Sequence, residues 1–105
     1  MLFRSLGQLL LSDGRHGGQQ LIPAAWVQRM RQPGAQAPFY GWLMWLNTGG
    51  AVFPGASARS TFMVGAGGHT TWMEPEHDAV VVVRWIDGPA VEGFMRRVSA
   101  ALAAG

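Results

Sequence analysis

Two runs joined by a short turn constrain this chain more than any other feature. His69–Glu74 (HTTWME) and residues 79–86 (AVVVVRWI) are dense in β-branched and aromatic side chains, with Pro75-Glu76-His77-Asp78 between them. A parallel return needs a dozen or more residues, so the two runs must lie antiparallel and adjacent. Pro75 suits the second position of the turn, because its ring fixes φ where the turn needs it. A lone hairpin is at best marginally stable in water, so the rest of the chain has to cover it.

The remaining segments supply that cover. Residues 60–64 read as a further short strand, which leads through Gly65-Ala66-Gly67-Gly68 into His69. Residues 39–46 (FYGWLMWL) are apolar on both alternating faces, the pattern of a strand covered on both sides. Asn47-Thr48-Gly49-Gly50 follows as a turn, and residues 51–59 as a loop broken by Pro54-Gly55. Toward the N-terminus, Leu2, Phe3, Leu6, Leu9 and Leu10 fall on one helical stripe. Ser12-Asp13-Gly14 ends that helix, with Gly14 as its left-handed cap, and residues 15–20 form a Gly-containing turn. Pro23 fits the first position of a second helix, which points Trp26, Val27 and Met30 inward and stops at Pro33-Gly34. Asp87 caps a last helix, Pro89 occupies its first turn, and Val91, Phe94, Val98 and Leu102 form its apolar face. Arg96 and Arg97 complement its dipole. The order predicts an α+β fold within one unit, 1–105: an antiparallel sheet of three to four strands, flanked by N-terminal helices and a C-terminal helix.

Composition matters where burial is concerned. Hydrophobic residues make up 49% and charged residues 13%, against about 25% charged in an average domain. A domain of this length hides about two thirds of its unfolded surface, so an apolar face is expected to stay exposed, ready for a partner or for further chain. Trp26, Trp42, Trp45, Trp72 and Trp85 are expected mainly in the core. The eight basic residues are all Arg, scattered from Arg4 to Arg97, and the net charge is +2. That distribution makes no phosphate-tracking stripe, so no nucleic-acid partner is expected. The chain has no cysteine for disulfides or thiolate metal sites. Its first apolar run, Leu9-Leu10-Leu11, is too short for a leader or a membrane span. A cytoplasmic location and no membrane partner are the corresponding expectations.

Three segments, in order, carry a resemblance. They are LFRSLGQLLLSDGRHGGQQLIPAAWVQRM, YGWLMWLN and GAGGHTTWMEPEHDAVVVVRW. The first is similar to a helix, a Gly-rich turn and a Leu-Ile-Pro-x-x-Trp-Val element, and the second to a Tyr-Gly-x-x-Trp strand. The third resembles a closing hairpin with Trp-x-x-Pro-Glu-x-Asp and a Val-rich strand. The elements that these three segments resemble lie in the C-terminal third of the β-lactamase-related serine hydrolases, the family of class C β-lactamases, D-Ala-D-Ala peptidases and related esterases. The resemblance covers essentially the whole chain and implies a partial β-lactamase/transpeptidase-like fold.

It also implies a chemistry. Such enzymes attack an acyl carbon with the Ser of Ser-x-x-Lys, aided by a Tyr-x-Asn or Ser-x-Asn motif. A Lys-Thr-Gly motif or a degenerate variant lies on a strand beside the substrate, where a backbone N–H helps form the oxyanion hole. This chain contains no Lys, and its single Tyr, Tyr40, is followed by Gly41 and Trp42, so the first two motifs are absent. The third falls on Gly65, Ala66, Gly67 and Gly68, the implied substrate-side and oxyanion backbone, with His69 at the pocket rim. Small residues there allow close approach to a carbonyl but hold no carboxylate, which favours plain ester or amide substrates.

No residue of this chain is assigned as catalytic, because Ser57, Ser60 and Ser99 have neither a paired Lys nor a local His-Asp arrangement. No cofactor and no metal are expected. His69, Glu74, Glu76, His77 and Asp78 have the composition of a ligand set, but a strand rise of ~3.3 Å per residue puts His69 roughly 20 Å from His77. Read without the resemblance, the glycine stretch is a flexible turn before a hairpin; the match of the flanking elements favours the substrate-side strand. Two functions follow. Either the chain supplies sheet strands and substrate-side backbone to a catalytic portion located elsewhere, or it is a non-catalytic module that binds a partner or itself through an apolar face or a strand edge.

Overall fold

The computed structural model describes residues 2–105, and the side chains of Met1 and Leu2 lie outside the described residues. Among the described residues the chain forms three helices and two antiparallel sheets, an α+β fold. The order is α1 (Leu2–Leu11), β1 (Arg15–His16), β2 (Gln19–Gln20), α2 (Ala24–Met30), β3 (Trp45–Leu46), β4 (Thr61–Gly65), β5 (His69–Glu74), β6 (Ala79–Val83) and α3 (Val91–Ala104). β1 and β2 make a small hairpin, and the larger sheet runs β3-β4-β5-β6.

The expected hairpin is present, with Trp72 opposite Val81 and Glu74 opposite Ala79. A single 3-10 turn, Pro75–His77, joins its strands, and Asp78 takes the left-handed conformation (φ +49°) that returns the chain. Alternation along β5 divides the core in two. Trp72 faces one side, where it packs with Phe62, Ala56, Val91 and Met95 beneath α3. Met73 faces the other, with Leu10, Val27 and Met44 beneath α1 and α2. Gly7 is what lets α1 sit close. A Cβ there would lie 2.8 Å from Val80 Cγ1 and 2.9 Å from Thr71 Cγ2.

The helix ends show local chemistry. α1 closes with paired bonds from Gly14 N to Leu9 O (2.8 Å) and from Asp13 N to Leu10 O (3.2 Å). The left-handed region begins at Asp13 (φ +55°), one residue before the expected Gly14, which continues it at φ +86°. Arg31 pairs with Asp13 Oδ1 at 2.8 Å and also donates to Leu10 O, so a cation satisfies the end of the helix. Pro23 stands just before α2 rather than within it, and of the three residues expected inward only Val27 is fully buried. α3 begins after a 3-10 turn at Gly88–Ala90. Asp87 contributes its carbonyl to Ala90 N, and its side chain makes no cap bond.

Residues 39–46 correct the sequence reading. Only Trp45–Leu46 is strand, and the segment before it folds back on α2. Trp42 N donates to Met30 O at 3.1 Å, and Gly41 lies so close that a Cβ would be 2.1 Å from the same oxygen. Gly41 N then bonds Met44 O at 2.8 Å, and Leu43 is held at φ +62°. Capture by the last carbonyls of α2 bends a run whose pattern alone reads as extended. The tryptophans are corrected too: Trp72 is buried, whereas Trp26, Trp42, Trp45 and Trp85 are 42–73% exposed.

Candidate functional site

The glycine stretch forms the turn of the β4–β5 hairpin. Gly65 closes β4 opposite His69, and Ala66-Gly67-Gly68 is the three-residue loop between them. Glycine is required twice here. Gly67 and Gly68 have φ +94° and +81°, and a Cβ on Gly68 would meet the Ile86 carbonyl oxygen at 2.2 Å. Ile86 N in turn donates to Gly68 O at 3.2 Å. The loop is thus pinned to the corner after β6, where Trp85 (φ +59°) sets its ring edge-on to His69 with centroids 4.3 Å apart.

Gly65 and His69 border one groove of about 310 Å³ between the start of α1 and the sheet. Phe3, Leu6, Met63 and Val82 give it an apolar wall, and Arg84 stands over the Phe3 ring at 5.7 Å. His69 Nδ1 is buried and has no hydrogen-bond partner among the described residues. Of the expected site residues, Gly65 and His69 therefore meet at one groove, while Gly67 and Gly68 pack against the 85–86 corner. The groove accepts an apolar group. Its walls carry no serine, cysteine or lysine, and among the described residues no hydrogen bond joins the Thr70 or Thr71 hydroxyl to the His69 imidazole beside them.

A second constellation joins Glu74, Ser57 and Ser60, which the sequence presents only as separate residues. The Glu74 carboxylate is buried, at 1% exposure, among donors from the loop before β4 and from the turn that follows β5. It accepts from Ser57 Oγ (2.7 Å), Ser57 N (3.3 Å), Ser60 Oγ (3.2 Å) and Glu76 N (3.0 Å). Trp72 Nε1 donates to Ser60 Oγ at 2.9 Å. Asn47, also 1% exposed, donates to Phe53 O, Ala56 O and Ser57 O and accepts from Phe53 N. Ser57 and Ser60 are thereby tied to a carboxylate that shapes a loop, and no imidazole or amine lies between to activate them. The signal for Glu74 was a carboxylate directly before Pro75, at the end of a run that is otherwise uncharged after His69.

A third feature is apolar and open. Trp26 and Trp42 meet edge to face at 5.4 Å, and with Met30, Tyr40 and Leu43 they border a shallow depression of about 400 Å³. Leu43 is 81% exposed. His69 and His77 lie at opposite ends of β5, and no group of three or more His, Asp or Glu side chains converges among the described residues. No protein-family model and no curated protein sequence matches the chain.

Proposed function

We propose that this chain is the sheet-bearing C-terminal part of a serine hydrolase related to the β-lactamases, and that alone it performs no acyl transfer. What supports the reading is the resemblance of three segments in order, together with an α+β architecture in which the closing hairpin, β5–β6, forms one end of the larger sheet. One observation carries the absence of turnover: the groove beside Gly65 and His69 offers apolar wall and backbone but no hydroxyl or thiol paired with a base. A complete enzyme would add Ser-x-x-Lys and its partner motif from a catalytic portion, and would take a small ester or amide in that groove. The test is hydrolysis of nitrocefin and of a chromogenic ester by the purified chain. The expected rate equals buffer alone, and measurable turnover that survives repurification overturns the reading.

A second reading is favoured by the open aromatic depression: a non-catalytic module that docks a partner through Trp26, Trp42 and Leu43. Contiguous aromatic side chains at this exposure are a recurrent mark of protein contact. The two readings agree that the face is covered when the protein works. They differ in whether the cover brings a nucleophile.

A further inference from the structure

β6 ends the larger sheet, and no strand pairs with its outer edge among the described residues. Its five residues, Ala79 and four consecutive Val, include none of the prolines, charges or bulges that blunt natural sheet edges. Charge appears only at its two ends, where Asp78 precedes the strand and Arg84 follows it. We propose that this edge is a homodimer interface, in which two copies pair β6 antiparallel about a two-fold axis at Val81 and join their sheets into one.

The register follows from symmetry and charge. A two-fold axis normal to the sheet sets opposite each other residues of the same face, so the axis must pass through a residue rather than between two. With the axis at Val81, Ala79 lies opposite Val83 and Val80 opposite Val82, so the whole strand pairs. The same register sets Asp78 of each copy opposite Arg84 of the other, at both ends of the new ladder. Moving the axis to Val80 or Val82 loses both charge pairs, because Asp78 then faces Val82 or Ile86. An acidic start and a basic finish read the same after antiparallel inversion, so the strand is complementary to itself. That argues for a second copy as the occupant.

The surroundings agree. Phe3, Arg4, Val80, Val82 and Arg84 line a groove along this edge beside α1. Phe3 is half exposed and Val82 more than a third. Joining the sheets brings both α1 helices onto the same face and encloses these side chains between them. The proposal does not rest on the hydrolase reading, since it uses neither the glycine loop nor a catalytic portion.

Analytical ultracentrifugation of the purified chain tests it. A concentration-dependent dimer is expected, and Asp78→Arg or Arg84→Asp alone sets like charges opposite at both ends. Each should weaken the dimer about tenfold or more, and combining the two reversals should restore it. The chain has no cysteine, so Val81→Cys gives a clean second readout. On the axis it should cross-link two copies under mild oxidation, whereas Arg97→Cys on α3 should not. Circular dichroism of each variant confirms that it is folded. A monomer at the highest soluble concentration overturns the proposal. A dimer indifferent to all charge variants and refractory to linkage at residue 81 also overturns it, and would move the contact to the aromatic depression.

Discussion

Glu74 keeps its carboxyl group buried because most of the donors around it belong to the loop it fixes. Ser57 and Ser60 gain from being held, and the carboxylate gains the hydrogen bonds it gave up in water. Glu74→Gln keeps the shape but presents an NH₂ group to hydroxyl and amide donors, leaving buried groups unpaired. It should lower unfolding free energy by about 2–3 kcal/mol, read as a shift of the urea midpoint. The residues expected at a site were legible only in part. Gly65 and His69 do share a groove, because strand pairing sets them opposite each other. The roles of Gly67 and Gly68 were not legible, since the corner that needs them, at Trp85 and Ile86, is remote in sequence and reaches them only through β5–β6 pairing.

Among the elements, α1 shows how one missing Cβ sets a packing distance. Gly7→Ala would gain up to about 1 kcal/mol of helix propensity. The added methyl would press on Val80 Cγ1 and Thr71 Cγ2 in a filled interface, at a cost of about 1–3 kcal/mol. Strain should win, with a net loss of about 1 kcal/mol that thermal denaturation would register as a lower Tm. Gly93 in α3 is the internal contrast. A Cβ there meets nothing nearer than Arg97 Nη1 at 4.0 Å, so Gly93→Ala should raise Tm. The helices and the β5–β6 hairpin were legible because their signals are local: stripe spacing, turn chemistry, β-branched runs. Residues 39–46 were not, because what bends them is the Met30 carbonyl at the end of α2, twelve residues before the Trp42 amide it accepts from. The same docking fixes Leu43 in a left-handed conformation that its side chain disfavours.

For the molecule as a whole, the expected exposed apolar face is present and centred on Trp26, Trp42 and Leu43. Composition foretold that some apolar surface must stay outside, but not that four of the five tryptophans would lie there. Leu43→Asn tests the face without disturbing the core. Asn tolerates the left-handed conformation better, and Leu43 gives up little burial, so stability should rise by about 0.5–1 kcal/mol in urea titration. Binding of an environment-sensitive dye such as ANS should fall at the same time. The sheet has a further consequence as a partition with filled space on each side. α3 closes one compartment and is tied to the neighbouring loop by Gly55 N to Glu92 Oε1 and Ser99 Oγ to Gly55 O, while Leu10, Val27, Met44 and Met73 fill the other without it. Sub-global opening is therefore expected to release the final helix while the opposite compartment stays shut, with wetting of the Trp72 indole as its optical signature.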